Sequence, residues 1–81
     1  SWRSGRLIFD GTPLSEVVAE FNRYNDVQLE LEGERLSDER ISGVFDADQP
    51  QALARFLERS GVIEPVAAAG DRIALVPQPS R

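Results

Sequence analysis

One arrangement of residues occurs twice in this chain and narrows its possible folds more than any other feature. Phe9-Asp10 leads through a short step to Thr12-Pro13 and an apolar stripe of helical period; Phe45-Asp46 leads to Asp48, Pro50 and a second stripe. In the first stripe Leu14, Val17, Val18 and Phe21 follow the i, i+3, i+4, i+7 rule for one helix face. In the second, Leu53, Phe56 and Leu57 form the expected buried side. A β-prone run precedes each helix: Arg6-Leu7-Ile8-Phe9-Asp10, with Leu7 and Phe9 on one face, and Ile41-Ser42-Gly43-Val44-Phe45. Strands also follow the helices. Val27-Gln28-Leu29-Glu30-Leu31-Glu32 alternates strictly, which marks a strand with one face in water. Val62 to Ala68 and Arg72 to Val76 read as two more, joined at Gly70-Asp71. The expected fold is α+β: two βαβ-like halves, with two helices packed between small β-sheets. Neither half can bury its helix alone.

Local signals place the boundaries. Thr12 is the expected cap of the first helix, with Pro13 at its first position, where a missing N–H costs nothing. Asn25-Asp26 ends it. Gly33 stops the following strand, and Glu34 to Arg40 is a polar connection around Leu36. Gly43, central in its strand, predicts a bulge or a close backbone approach. Asp48 is the expected cap of the second helix, with Gln51 completing a capping box and Pro50 in the first turn. Ser60-Gly61 supplies its stop. Pro65 confines its strand to an edge. Residues 1–76 form one domain and 77–81 a frayed tail.

Composition excludes several function classes. The chain has 81 residues and net charge −5, and its nine positive residues are scattered and all arginine. A domain of this size buries only about 60–65% of its unfolded surface, so it builds one modest core. Without a basic stripe, binding to nucleic acid is disfavoured, as is docking on an anionic membrane. No apolar run approaches the ~20 residues of a membrane helix. Histidine, cysteine and lysine are absent, which removes the usual bases, nucleophiles and thiolate metal ligands. A non-catalytic domain with no cofactor is expected. Glu30, Glu32 and Glu34 read as a solvated strand face rather than a cation site, because hard cations want converging ligands from a tight loop. Asp46 and Asp48 open like a calcium loop but lack its remaining ligands, and Gly5, Gly11 and Gly43 form no phosphate-binding pattern. Trp2 reads as a packing residue.

What remains is protein binding. At the end of the first helix, Tyr24 continues the buried side near Phe21 while Asn22 and Arg23 point outward; arginine and tyrosine are enriched at interfaces. Small sheets also leave strand edges that offer N–H and C=O groups to another chain. Val27 to Leu31 and Val62 to Ala68 are the candidate edges, and the second carries less charge. The expected partner-binding residues are Val62, Ile63, Glu64 and Val66, with Arg23 and Tyr24 as a second contact.

Trp2, Gly5-Arg6-Leu7-Ile8-Phe9, Pro13-Leu14, Glu16-Val17-Val18, Phe21-Asn22-Arg23-Tyr24-Asn25 and Ile41-Ser42-Gly43-Val44-Phe45 together resemble the C-terminal periplasmic part of FecR-type anti-sigma regulators. The stretch from Trp2 to Val76 is also similar to the STN domain at the N-termini of secretins and TonB-dependent transducers, which usually lacks the Asn-Arg-Tyr run. The resemblance implies a periplasmic domain of a single-pass inner-membrane protein. It would receive a signal from the N-terminal domain of a TonB-dependent outer-membrane transducer, in control of iron or siderophore uptake. A cytoplasmic segment outside this sequence would hold the sigma factor. The alternatives are an STN-like structural domain of a secretin-type channel and a small sugar-binding or hydrolase domain.

Overall fold

The computed structural model describes residues 5–64 and 68–78; Trp2, Pro65 and Val66 lie outside them. The elements run β1 (Arg6–Pro13), α1 (Leu14–Tyr24), β2 (Gln28–Leu31), a 3₁₀ helix (Glu34–Asp38), β3 (Arg40–Asp46), α2 (Pro50–Arg59), β4 (Ala68–Ala69) and β5 (Arg72–Leu75). The fold is α+β, and its two halves interleave. Their opening strands, β1 and β3, pair antiparallel as a two-stranded ribbon. Their closing strands, β2 and β5, pair in parallel, with β4 on the far side of β5. α1 packs against β1, β2, β3 and the 3₁₀ helix, whereas α2 packs against β3.

The apolar stripe of α1 goes where its spacing directs it: Leu14, Val17, Val18 and Phe21 are all buried. Phe21 lies 6.4 Å from Phe9 and 6.2 Å from Phe45 between ring centroids, and Phe9 lies 6.1 Å from Phe45. These separations fall in the attractive range for tilted rings. Leu53, Leu57, Ile63, Ile73 and Leu75 complete the core, and Leu36 closes it from the 3₁₀ helix. The second stripe departs from expectation at one residue. Pro50, Leu53, Ala54 and Leu57 form the buried face of α2. Phe56 falls on its flank, edge-on to Phe45 at 5.5 Å and still 38% exposed.

Both expected helix caps are overturned. β1 does not end with the β-prone run at Asp10 but continues to Pro13, which pairs with Arg40, so chain and ladder run straight into α1. Thr12 is therefore still in the strand, and its Oγ1 accepts from the Asp10 N–H at 3.3 Å. The first N–H of the helix, on Leu14, donates to the Glu39 carbonyl at 2.7 Å, which supplies the acceptor that a cap would have offered. At α2 the N-cap position falls on Gln49, and no side chain bonds the helix end. Asp48 lies one residue too early, because the turn closed by Gln49 N–H on the Asp46 carbonyl sets the helix start at Pro50. The stop at Ser60-Gly61 holds. Gly61 has φ +78, its N–H donates to Glu58 and the Val62 N–H to Leu57, as a helix ending at a left-handed glycine requires.

The bulge expected at Gly43 belongs to the facing strand. Phe9 pairs with Gly43 and Thr12 with Ile41, so β1 carries one extra residue at Asp10-Gly11. Gly11 adopts φ +61 and its N–H donates to Ser42 Oγ at 2.8 Å. The chain beyond β5 is not wholly a tail: Pro77 bridges to Ile63, and the Gln78 N–H donates to the Val62 carbonyl at 3.1 Å.

Candidate protein-binding surface

The end of α1 turns on a cluster of side-chain amides. In the parallel pair, Gln28 N–H donates to Asp71 and Glu32 N–H to Leu75, so the intervening Leu29 points its N–H and C=O away from β5. The Asn22 carboxamide takes both groups: Leu29 N–H donates to Oδ1 at 2.8 Å, and Nδ2 donates to the Leu29 carbonyl at 3.1 Å. One side chain thus stands in for a neighbouring strand. Asn25 Nδ2 donates to the carbonyls of Phe21 at 2.8 Å and Ala47 at 2.7 Å, tying the last turn of α1 to the β3–α2 connection. Gln28 Nε2 donates to the carbonyls of Asn22 and Asn25. These contacts give side-chain donors to the Phe21 and Asn22 carbonyls, two of the last four of α1.

The expected orientations at this end are thus partly reversed. Asn22 is directed at β2 rather than solvent, and Tyr24, expected on the buried side, is 37% exposed. Arg23 does point outward, in an exposed pair with Glu20 at 3.4 Å. Arg23 and Tyr24 are therefore both accessible on the outer end of α1.

The second group of expected contact residues lies elsewhere. Val62 N–H donates to Leu57, Ile63 N–H reaches the same carbonyl at 3.5 Å, and Glu64 N–H donates to Val76 at 2.9 Å. These three residues keep their backbone donors inside the domain, so a partner would meet them through side chains. Ile63 is fully buried, and Val62 and Glu64 are half-buried. Val62 borders a groove of about 350 Å³ with Arg35, Glu39, Ser60 and Gln78. The structure does not bring the two groups into one patch by any described contact.

An apolar pair that sequence reasoning did not single out is prominent on the ribbon. Ile8 and Val44 face each other across β1 and β3, and are 63% and 58% exposed. Alternation carried the signal, since Leu7 and Phe9 share the inner face and Ile8 must take the other. No second layer covers that outer face among the described residues.

The acidic residues show no convergence. Glu30 pairs with Arg72 across β2 and β5, and among the described residues no three His, Cys, Asp or Glu side chains are placed to hold a metal ion. No helix among them is long and apolar enough to cross a membrane.

Comparison with known proteins covers most of the chain. The family described as FecR, C-terminal matches residues 6–64. Two crystal structures described as an anti-sigma factor from Parabacteroides distasonis ATCC 8503, at 1.65 and 2.50 Å, share the fold with a TM-score of 0.74 each. They are 27% and 26% identical to this chain, over 94% of its length and 35% of theirs. The chain thus spans about a third of the length of these relatives. No curated protein matches it.

Proposed function

The chain belongs to the FecR C-terminal family, and we propose that it is the non-catalytic protein-binding module of a transmembrane anti-sigma regulator. In this reading it lies in the periplasm and receives its signal from the N-terminal domain of a TonB-dependent outer-membrane transducer. The rest of the regulator carries the membrane helix and the segment that holds the sigma factor, and the system controls uptake of an iron source. The observation that carries the reading is the family match across β1, α1, β2, β3 and α2. The exposed residues at the end of α1 and on the ribbon suit a binding role.

Titration calorimetry against purified N-terminal domains of TonB-dependent transducers from the source organism tests it. Saturable one-to-one binding to one of them supports the reading. No binding to any, with a ring-sized homo-oligomer on light scattering, would instead support the channel-domain alternative.

A further inference from the structure

Of the strand edges among the described residues, that of β3 is the best placed to take a further strand, since β4 is only two residues long. β2's outer edge is interrupted at Leu29 by Asn22, which takes both of that residue's backbone groups. β1's is broken by the Asp10-Gly11 bulge, a common guard against pairing. Val62 to Glu64 have no N–H left to offer. β3 carries no extra residue, and among the described residues it pairs only with β1. Ala47 N–H donates to the Gly5 carbonyl at 2.6 Å, which fixes the phase of this ladder. Bonded and non-bonded pairs alternate in an antiparallel ladder. Leu7/Phe45 and Phe9/Gly43 are thus the bonded pairs, and Val44 directs its N–H and C=O away from β1.

Each face beside that edge carries an exposed apolar residue, although Ser42 and Asp46 flank Val44 on the outer one. Val44 is exposed on the outer face, and on the inner face Phe56 stands edge-on to Phe45 and remains 38% exposed. Arg55 and Arg59, one helical turn apart, are exposed next to Phe56, and neither forms an ion pair among the described residues. In a chain of net charge −5 these two arginines, with half-buried Glu58 between them in sequence, leave a local excess of positive charge, which favours an acidic segment there.

We propose that the free edge of β3 accepts an extended acidic segment of a partner protein as an added strand. One face of that segment would place an apolar side chain on Phe45 and Phe56 and acidic side chains toward Arg55 and Arg59. The other face would cover Val44. The inference rests on the protein-binding reading above, and names the surface and the chemistry of the partner.

The probe is a synthetic peptide with the centre Glu-Val-Phe-Val-Glu, compared with its Lys-Val-Phe-Val-Lys counterpart by fluorescence anisotropy. The acidic peptide is expected to bind and the basic one not. Arg55→Glu combined with Arg59→Glu, with folding checked by circular dichroism, should reverse that preference. N-methylation of the peptide at one alternate set of residues should weaken binding about tenfold per lost hydrogen bond, and at the intervening set it should not. This control leaves the protein unaltered. Amide exchange should show new protection at Val44. Equal affinity for the two peptides, indifference to the phase of N-methylation, or protection that leaves Val44 unchanged would overturn the proposal. Transducer binding without protection of β3 would sink this inference and keep the functional reading. Peptide binding at β3 with no transducer binding would do the reverse.

Discussion

Asn22 occupies, with a single carboxamide, the place of the strand that β2 lacks on its outer side. Asn22→Ala leaves the part-buried N–H and C=O of Leu29 without these partners, a loss of about 1–3 kcal/mol by urea melts. It also opens an edge, so the variant should associate as concentration rises, which light scattering would detect. Thr12→Ala is expected to change stability by less than about 0.5 kcal/mol, because Thr12 Oγ1 closes an exposed bulge and caps no helix. Gly11→Ala at the neighbouring position is expected to cost about 1–2 kcal/mol. A Cβ there meets nothing within 4 Å, so the cost is the φ of +61 alone. If Thr12→Ala proved the more damaging of the two, the account of the strand-to-helix junction would be wrong.

Among the elements, α2 departs furthest from its expected face. The apolar spacing of Leu53, Phe56 and Leu57 is compatible with a helix that buries all three, yet the helix packs on a ribbon only two strands wide. Its inward face is filled by Pro50, Leu53, Ala54 and Leu57, and Phe56 is left at the ribbon's rim. Leu57→Ala should therefore cost about 2–5 kcal/mol. Phe56→Ala, although it deletes a larger side chain, should cost about 1–2 kcal/mol, the worth of partial burial and one edge-on ring contact. Chemical denaturation of the two variants side by side checks the order. A larger loss at Phe56 would mean that its ring is enclosed, which would also remove the apolar step beside β3.

At the scale of the molecule, the two halves hold each other. β5 is the middle strand of its sheet, with β2 on one side and β4 on the other, and its Ile73 and Leu75 lie in the core. The family match ends at residue 64, before this strand begins. A chain truncated after Gly70 would keep both helices and the β1–β3 ribbon but lose the pairing partner of β2. It is expected to lose its cooperative thermal transition, read by far-ultraviolet circular dichroism. A truncated chain that melts as sharply as the parent would show that β5 is dispensable.

Periodicity by itself determined the elements and most of the core. The stripe of Leu14, Val17, Val18 and Phe21, the inward pair Leu7 and Phe9, and the stop at Gly61 follow from helical or strand geometry acting over a few residues. The outward direction of Ile8 was legible for the same reason. The tertiary structure decided everything that depends on a distant partner. Glu39 supplies the acceptor that Thr12 was expected to provide, and Asn22 turns from solvent because Leu29 has an unpaired N–H within its reach. The choice of open edge belongs here too. Val62 to Glu64 read as an edge from their low charge, but the pairing with Val76 to Gln78 uses backbone groups whose partners no local pattern encodes. Side-chain periodicity records which face meets the core, whereas every residue except proline carries the same N–H, so its destination is set only when the strands come together.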